Sequence, residues 1–94
     1  MTINSLPDLS SHSSSPQQFS ATSIKAKWLA VQSNVTVLIG DSTISNGSPQ
    51  KGFQLQAGQV FEFPQDESCL TAQYDLSQLY VILTSGTFSV IYGT

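Results

Sequence analysis

The sequence predicts an all-β chain: a small antiparallel β-sandwich or jelly-roll-like barrel with a disordered or extended N-terminal arm. Three observations support this. Apolar and polar residues alternate at strand period over short runs, as in Val35-Thr36-Val37-Leu38-Ile39 and Phe61-Glu62-Phe63. Turn residues separate those runs at Gly40-Asp41-Ser42, Asn46-Gly47-Ser48-Pro49, Ala57-Gly58-Gln59 and Ser85-Gly86. No amphipathic helix of useful length lies between the runs, which excludes parallel βαβ units. The 94 residues are expected to form one domain, divided into an arm at 1–18 and a β-sandwich body at 19–94.

The arm is rich in Ser, Pro and Gln. Ser10, Ser11, Ser13, Ser14 and Ser15 surround His12, and Pro7 and Pro16 interrupt the segment. Such a composition lacks the apolar surface needed to order alone. Ile3 and Leu6 are its candidate anchors on a partner.

In the body, Ile24, Ala26, Trp28 and Ala30 alternate with Lys25, Lys27, Leu29 and Val31, so a first strand is expected within Phe19–Gln32, with Trp28 in the core. Ser33-Asn34 turns into Val35–Ile39. Gly40, Asp41 and Ser42 break that run: Gly supplies backbone freedom, and Asp and Ser can bond nearby N–H groups. Asn46 and Gly47 mark the strongest turn, with positive φ expected there, and Pro49 cannot donate to a ladder. Phe53 and Leu55 point inward from a short strand, then Phe61 and Phe63 from the next. Pro64–Ser68 reads as an acidic loop and Cys69–Tyr74 as a crossing segment. Asp75 caps a short helical turn. Leu79–Leu83 is apolar throughout, as expected of a strand buried on both faces. It is expected to pair with Phe88–Tyr92 as a hairpin.

Composition narrows the function classes. The net charge is −3, with Lys25, Lys27 and Lys51 the only basic residues besides His12. Nucleic-acid binding needs a basic face and is not expected. No apolar run approaches the ~20 residues of a spanning helix, and the first residues carry no signal-peptide pattern, so no membrane association is expected. Charged residues are 10% of the chain, against about a quarter in ordinary soluble domains. This composition fits either a surface that largely faces other protein or an ordinary neutral β-domain.

The chemistry-bearing residues are few. Gly40-Asp41-Ser42-Thr43 invites comparison with the nucleophile block of GDS-type esterases. That chemistry needs a His base and an oxyanion hole, and the sole histidine is His12, upstream in the arm. His12 alone is no metal site. A single cysteine, Cys69, permits no internal disulfide. Its acidic neighbours Asp66 and Glu67 would disfavour the thiolate, and those two carboxylates lack an EF-hand pattern. Asn34-Val35-Thr36 matches a glycosylation sequon by chance. Trp28, Tyr74, Tyr80 and Tyr92 could line a sugar-binding face, though aromatics at strand spacing are usually core. No catalytic residue, metal ligand set or cofactor site is expected.

One pattern emerges when the strands are taken together. It comprises Lys27-Trp28-Leu29-Ala30-Val31-Gln32, Val37-Leu38-Ile39-Gly40-Asp41-Ser42-Thr43-Ile44-Ser45, Gly52-Phe53-Gln54-Leu55, Gly58, Asp75-Leu76-Ser77-Gln78-Leu79-Tyr80-Val81 and Ser89-Val90-Ile91-Tyr92-Gly93. It resembles small β-sandwich virion proteins of tailed bacteriophages: capsid decoration (cement) proteins and head-fibre or tail-associated modules. The resemblance spans about Ile24 to Gly93 and rests on turns and strand ends. It implies a non-enzymatic protein made in the host cytoplasm and seated on the capsid surface of the virion. Its implied partner is the major capsid protein, and its implied state is a homotrimer. The alternative it implies is a tail- or head-fibre-associated module that recognises host-surface carbohydrate.

Overall fold

The structure, a computed structural model, describes residues 2–47, 49–63 and 74–94, and ten short strands lie among them. They are β1 (Ile3–Ser5), β2 (Gln17–Gln18), β3 (Lys25–Ala26), β4 (Trp28–Ser33), β5 (Val37–Gly40), β6 (Phe53–Leu55), β7 (Val60–Phe63), β8 (Tyr74–Asp75), β9 (Tyr80–Ile82) and β10 (Phe88–Gly93). A 3-10 turn at Leu76–Gln78 follows β8, and the Asp75 side chain caps it by accepting from the Ser77 N–H.

All pairings are antiparallel. Sheet A has the order β1-β10-β4-β7 and sheet B the order β2-β9-β5-β6, while β3 and β8 pair alone. Apart from that short pair, only β5 and β6 are sequential neighbours in one sheet. The other connections cross between sheets. This interleaving is the jelly-roll arrangement, two Greek keys folded into a sandwich.

The core lies between the sheets. Sheet A contributes Leu29, Val31, Phe88 and Val90, and sheet B contributes Val37, Ile39, Leu55 and Val81. Phe19, Ala26, Leu76 and Leu83 complete the cluster, with the rings of Phe19 and Phe88 5.1 Å apart. Each buried branched or aromatic side chain contributes about 1.5–3 kcal/mol, so this layer dominates the folding energy.

A second, smaller cluster covers the outer face of sheet B. Leu38 and Ile82 face outward there, and Ile44 from the β5–β6 loop lies over them beside Tyr80. The loop is closed by a Ser45–Lys51 bridge. Gly40 permits the closure: a Cβ at that position would sit 2.5 Å from Ile44 Cγ2. Leu79–Leu83 therefore encloses a strand buried on both faces, Val81 and Leu83 inside the sandwich and Ile82 under the loop.

Four expectations are revised. Residues 2–18 are no arm apart from the body, since they supply β1 and β2, an edge strand of each sheet. Hydrophobic periodicity cannot reveal these strands, because backbone pairing holds them and the β1 side chains are exposed. The segments around β9 and β10 form no hairpin; the chain crosses from sheet B to sheet A between them. Gly86, at φ +70°, lies in this arch, and Thr87 N–H donates to Asn34 Oδ1 at 2.8 Å. Trp28 is half-buried and faces outward instead of joining the core. The alternation slips at Lys27, an exposed residue between β3 and β4 whose N–H donates to Gly93 O at 2.8 Å. Positive φ occurs at Gly52, Gly58 and Gly86 and not at Asn46 or Gly47. The Asn46–Pro49 region is a wider loop, of which Ser48 lies outside the described residues.

Candidate functional site: the outer face of sheet A

Among the described residues, no loop residue lies over the outer face of sheet A as Ile44 lies over Leu38 and Ile82 on sheet B. Register fixes which side chains share its outer face. One row holds Ile3, Gly93 and Trp28; the next holds Ser5, Ile91, Ala30 and Glu62; the third holds Ser89, Gln32 and Val60. Ile3, Val60 and Ile91 are 57%, 54% and 40% exposed. Ala30 sits low between the larger side chains. With Gln32, Ser89, Ile91 and Val60 it lines a shallow groove of about 190 Å³. Glu62 is the one charged residue in the three rows.

The rows are about 7 Å apart and the strands about 4.8 Å apart, so the face covers on the order of 400 Å². That is roughly half of what one partner contributes to a standard protein interface.

The predicted anchors have separate surroundings. Ile3 stands on this bare face, whereas Leu6 packs against the protein's own core, as does Leu9. The Leu6 N–H donates to Val90 O at 3.0 Å.

Two clusters of polar side chains, around Asp41 and around Asp75, are joined in local bonds. Asp41 accepts from Thr43 N–H and Thr43 Oγ1, and Lys51 Nζ donates to Thr43 Oγ1 at 2.6 Å. The Thr43 hydroxyl, foremost, holds the Asp41 carboxyl below its ordinary range. Ser42 lies exposed on this turn, while His12 Nε2 is bonded to Gly86 O at 2.9 Å in the β9–β10 arch. The structure thus engages the two residues of the esterase comparison separately. Asn46 and Gly47 are exposed in the loop, where Gly47 N–H donates to Ser45 Oγ.

Asp75 ties β8 to the chain before β3. Its carboxylate accepts from Ser23 Oγ at 2.7 Å and from Ser77 Oγ at 2.8 Å, with Lys25 Nζ 3.5 Å away. These bonds, the Ser23 hydroxyl first, hold its pKa well below the usual carboxylate value. Among the described residues no group of three or more His, Cys, Asp or Glu side chains could hold a metal. Cys69, Asp66 and Glu67 lie outside the described residues. Among the described residues no helix is long and apolar enough to cross a membrane.

No family model, curated protein or solved structure matches this chain. Fold and face together define a small jelly-roll-like β-sandwich in which, among the described residues, Ile44 covers Leu38 and Ile82 on sheet B while Ile3, Val60 and Ile91 stay exposed on sheet A. Sequence reasoning placed neither Ile91 nor Val60 on an exposed face. A signal was present: in Phe88-Ser89-Val90-Ile91-Tyr92 the apolar residues fall on both parities, which marks a strand with two apolar faces.

Proposed function

We propose that this protein is a non-enzymatic structural protein of a bacteriophage virion, a capsid decoration protein that binds the major capsid protein through the outer face of sheet A. The observation that carries this is the bare apolar face itself: Ile3, Val60 and Ile91 exposed, Ala30 between them, and Glu62 the one charge. An exposed face of this kind is a cost to a lone protein and a gain to one seated on another. The resemblance to small phage virion proteins supplies the partner. The jelly roll supports it by analogy, since viral capsid proteins are among the many users of this fold. The protein acts as a homotrimer on the capsid surface, which multiplies a small contact face by avidity.

A binding titration on undecorated capsids tests the proposal. Ile91→Lys and Val60→Lys each place a charge on the face without touching the core, so the β fold should persist by circular dichroism. Each should weaken attachment more than tenfold, equivalent to about 1.4 kcal/mol. Unchanged affinity in both variants would exclude this face as the contact surface.

A second reading has one observation in its favour. Trp28 is half-buried on the same face, paired across the ladder with Gly93, which has no side chain to cover the ring. A fibre-associated module could stack a sugar there. Its signature is a saturable change in Trp28 fluorescence with host polysaccharide, lost in Trp28→Ala with the fold intact. No such response is expected.

A further inference from the structure

We infer that residues 2–9 are an exchangeable strand that a second copy of this chain accepts along its own β10. The segment closes the outer edge of sheet A. Thr2 O accepts from Thr94 N–H, β1 pairs with β10 from Ile3↔Gly93 to Ser5↔Ile91, Leu6 N–H donates to Val90 O, and Leu9 exchanges both backbone bonds with Phe88. The side chains of Ile3, Asn4 and Ser5 are exposed, so backbone bonds alone hold β1. Leu6 and Leu9 are the plugs, each partly buried against the core. Without this segment, β10 is an open edge beside two apolar gaps. An edge of that kind is completed by an extended strand.

The connection to the rest of the chain supplies the freedom. Residues 10–16 carry the chain from sheet A to β2 in sheet B. Two packed sheets lie about 10 Å apart. Seven extended residues span up to about 24 Å. This is close to the 25 Å width of the molecule. The link is thus longer than its own crossing requires and long enough to reach a neighbour. Its described attachments are the Ser13 N–H bond to Leu83 O, the His12 bond to Gly86 O, and the Gln17 side-chain bond back to Ser11 O. Its serines give it no buried apolar anchor.

Reciprocal exchange keeps every bond of the segment, because the donor and acceptor sequences are the same. It also brings the donor's body beside the bare outer face at the β1–β10 seam, where Ile3 and Ile91 stand. Burying these residues is the gain that favours the exchanged form at high local concentration. The partner is therefore a second copy, and the contact is continuous with the face described above. The inference holds whether or not that face also meets a capsid.

Cross-strand thiols test it without any particle. Ser5 and Ile91 are directly opposed, and the Leu6–Val90 bond beside them makes theirs a non-hydrogen-bonded pair, with Cα atoms about 4.5 Å apart and within disulfide range. In a Cys69→Ser background, a chain carrying both Ser5→Cys and Ile91→Cys should form an internal disulfide in a glutathione buffer, which verifies the register. Chains carrying Ser5→Cys alone and Ile91→Cys alone are then mixed at high concentration. A covalent heterodimer is expected, at least tenfold more abundant than with Ser10→Cys in place of Ser5→Cys. Equal yields from the two mixtures, or no heterodimer in either, would overturn the inference, as would failure of the internal disulfide.

Discussion

Covering one sheet face and leaving the other bare should give two isoleucines opposite thermodynamic weights. Ile44 is 5% exposed and lies on Leu38 and Ile82, whereas Ile91 is 40% exposed on the bare face. Threonine is the appropriate replacement at both positions, because it keeps the β-branch and therefore the strand preference. At Ile44 the change removes two buried carbons, about 1.6 kcal/mol at ~0.8 kcal/mol per group. It also brings a hydroxyl into an apolar contact, for at least about 1 kcal/mol more. The total is on the order of 3 kcal/mol. For a domain of this size each kcal/mol lowers the melting temperature by about 4–8 °C, so Ile44→Thr should melt more than 10 °C below the parent. At Ile91 the hydroxyl meets water and the loss should stay within about 0.5 kcal/mol, a few degrees at most. Thermal unfolding followed by circular dichroism at low protein concentration measures both. Equal destabilisation by the two changes would mean that the outer face of sheet A is covered within a single chain, and the docking surface would be lost with it.

Two further outcomes follow from the core and from Asp75. Val81 is fully buried in the central strand β9, so Val81→Asp places an unpaired carboxylate in the sandwich and should abolish the folded state; dispersed amide signals in its NMR spectrum would contradict this. The Asp75 carboxyl is held below its ordinary value of 3.8 by Ser23, Ser77 and Lys25, so it binds protons less readily folded than unfolded. Its contribution is therefore complete above about pH 5 and declines as pH falls below the unfolded value. Urea midpoints at pH 6 and pH 2.5 should differ more in the parent than in Asp75→Asn, and the same difference in both would remove Asp75 from the acid response.

The sequence by itself determined the local patterns. Val37 and Ile39 alternate against Leu38 because a pleated strand turns successive side chains to opposite faces, and the structure buries them on opposite sides of sheet B. The turn at Gly40, the cap at Asp75 and the two-faced burial of Leu79–Leu83 were legible for the same reason: each depends on residues a few positions apart. What the tertiary structure decided depends on distant partners. Ile3–Ser5 has no apolar pattern, and it becomes a strand because β10 offers an edge roughly the whole chain away. β9 and β10 are close in sequence but join different sheets, because the arch between them is held by Ser33 and Asn34 from the β4–β5 crossing. The candidate site was hidden for that reason. Ile91, Ala30 and Val60 come from three strands, and only the register of sheet A places them side by side. Whether an outward apolar residue is covered, as Leu38 is by Ile44, or left bare, as Ile91 is, depends on where a loop falls back in space, and periodicity carries no record of that.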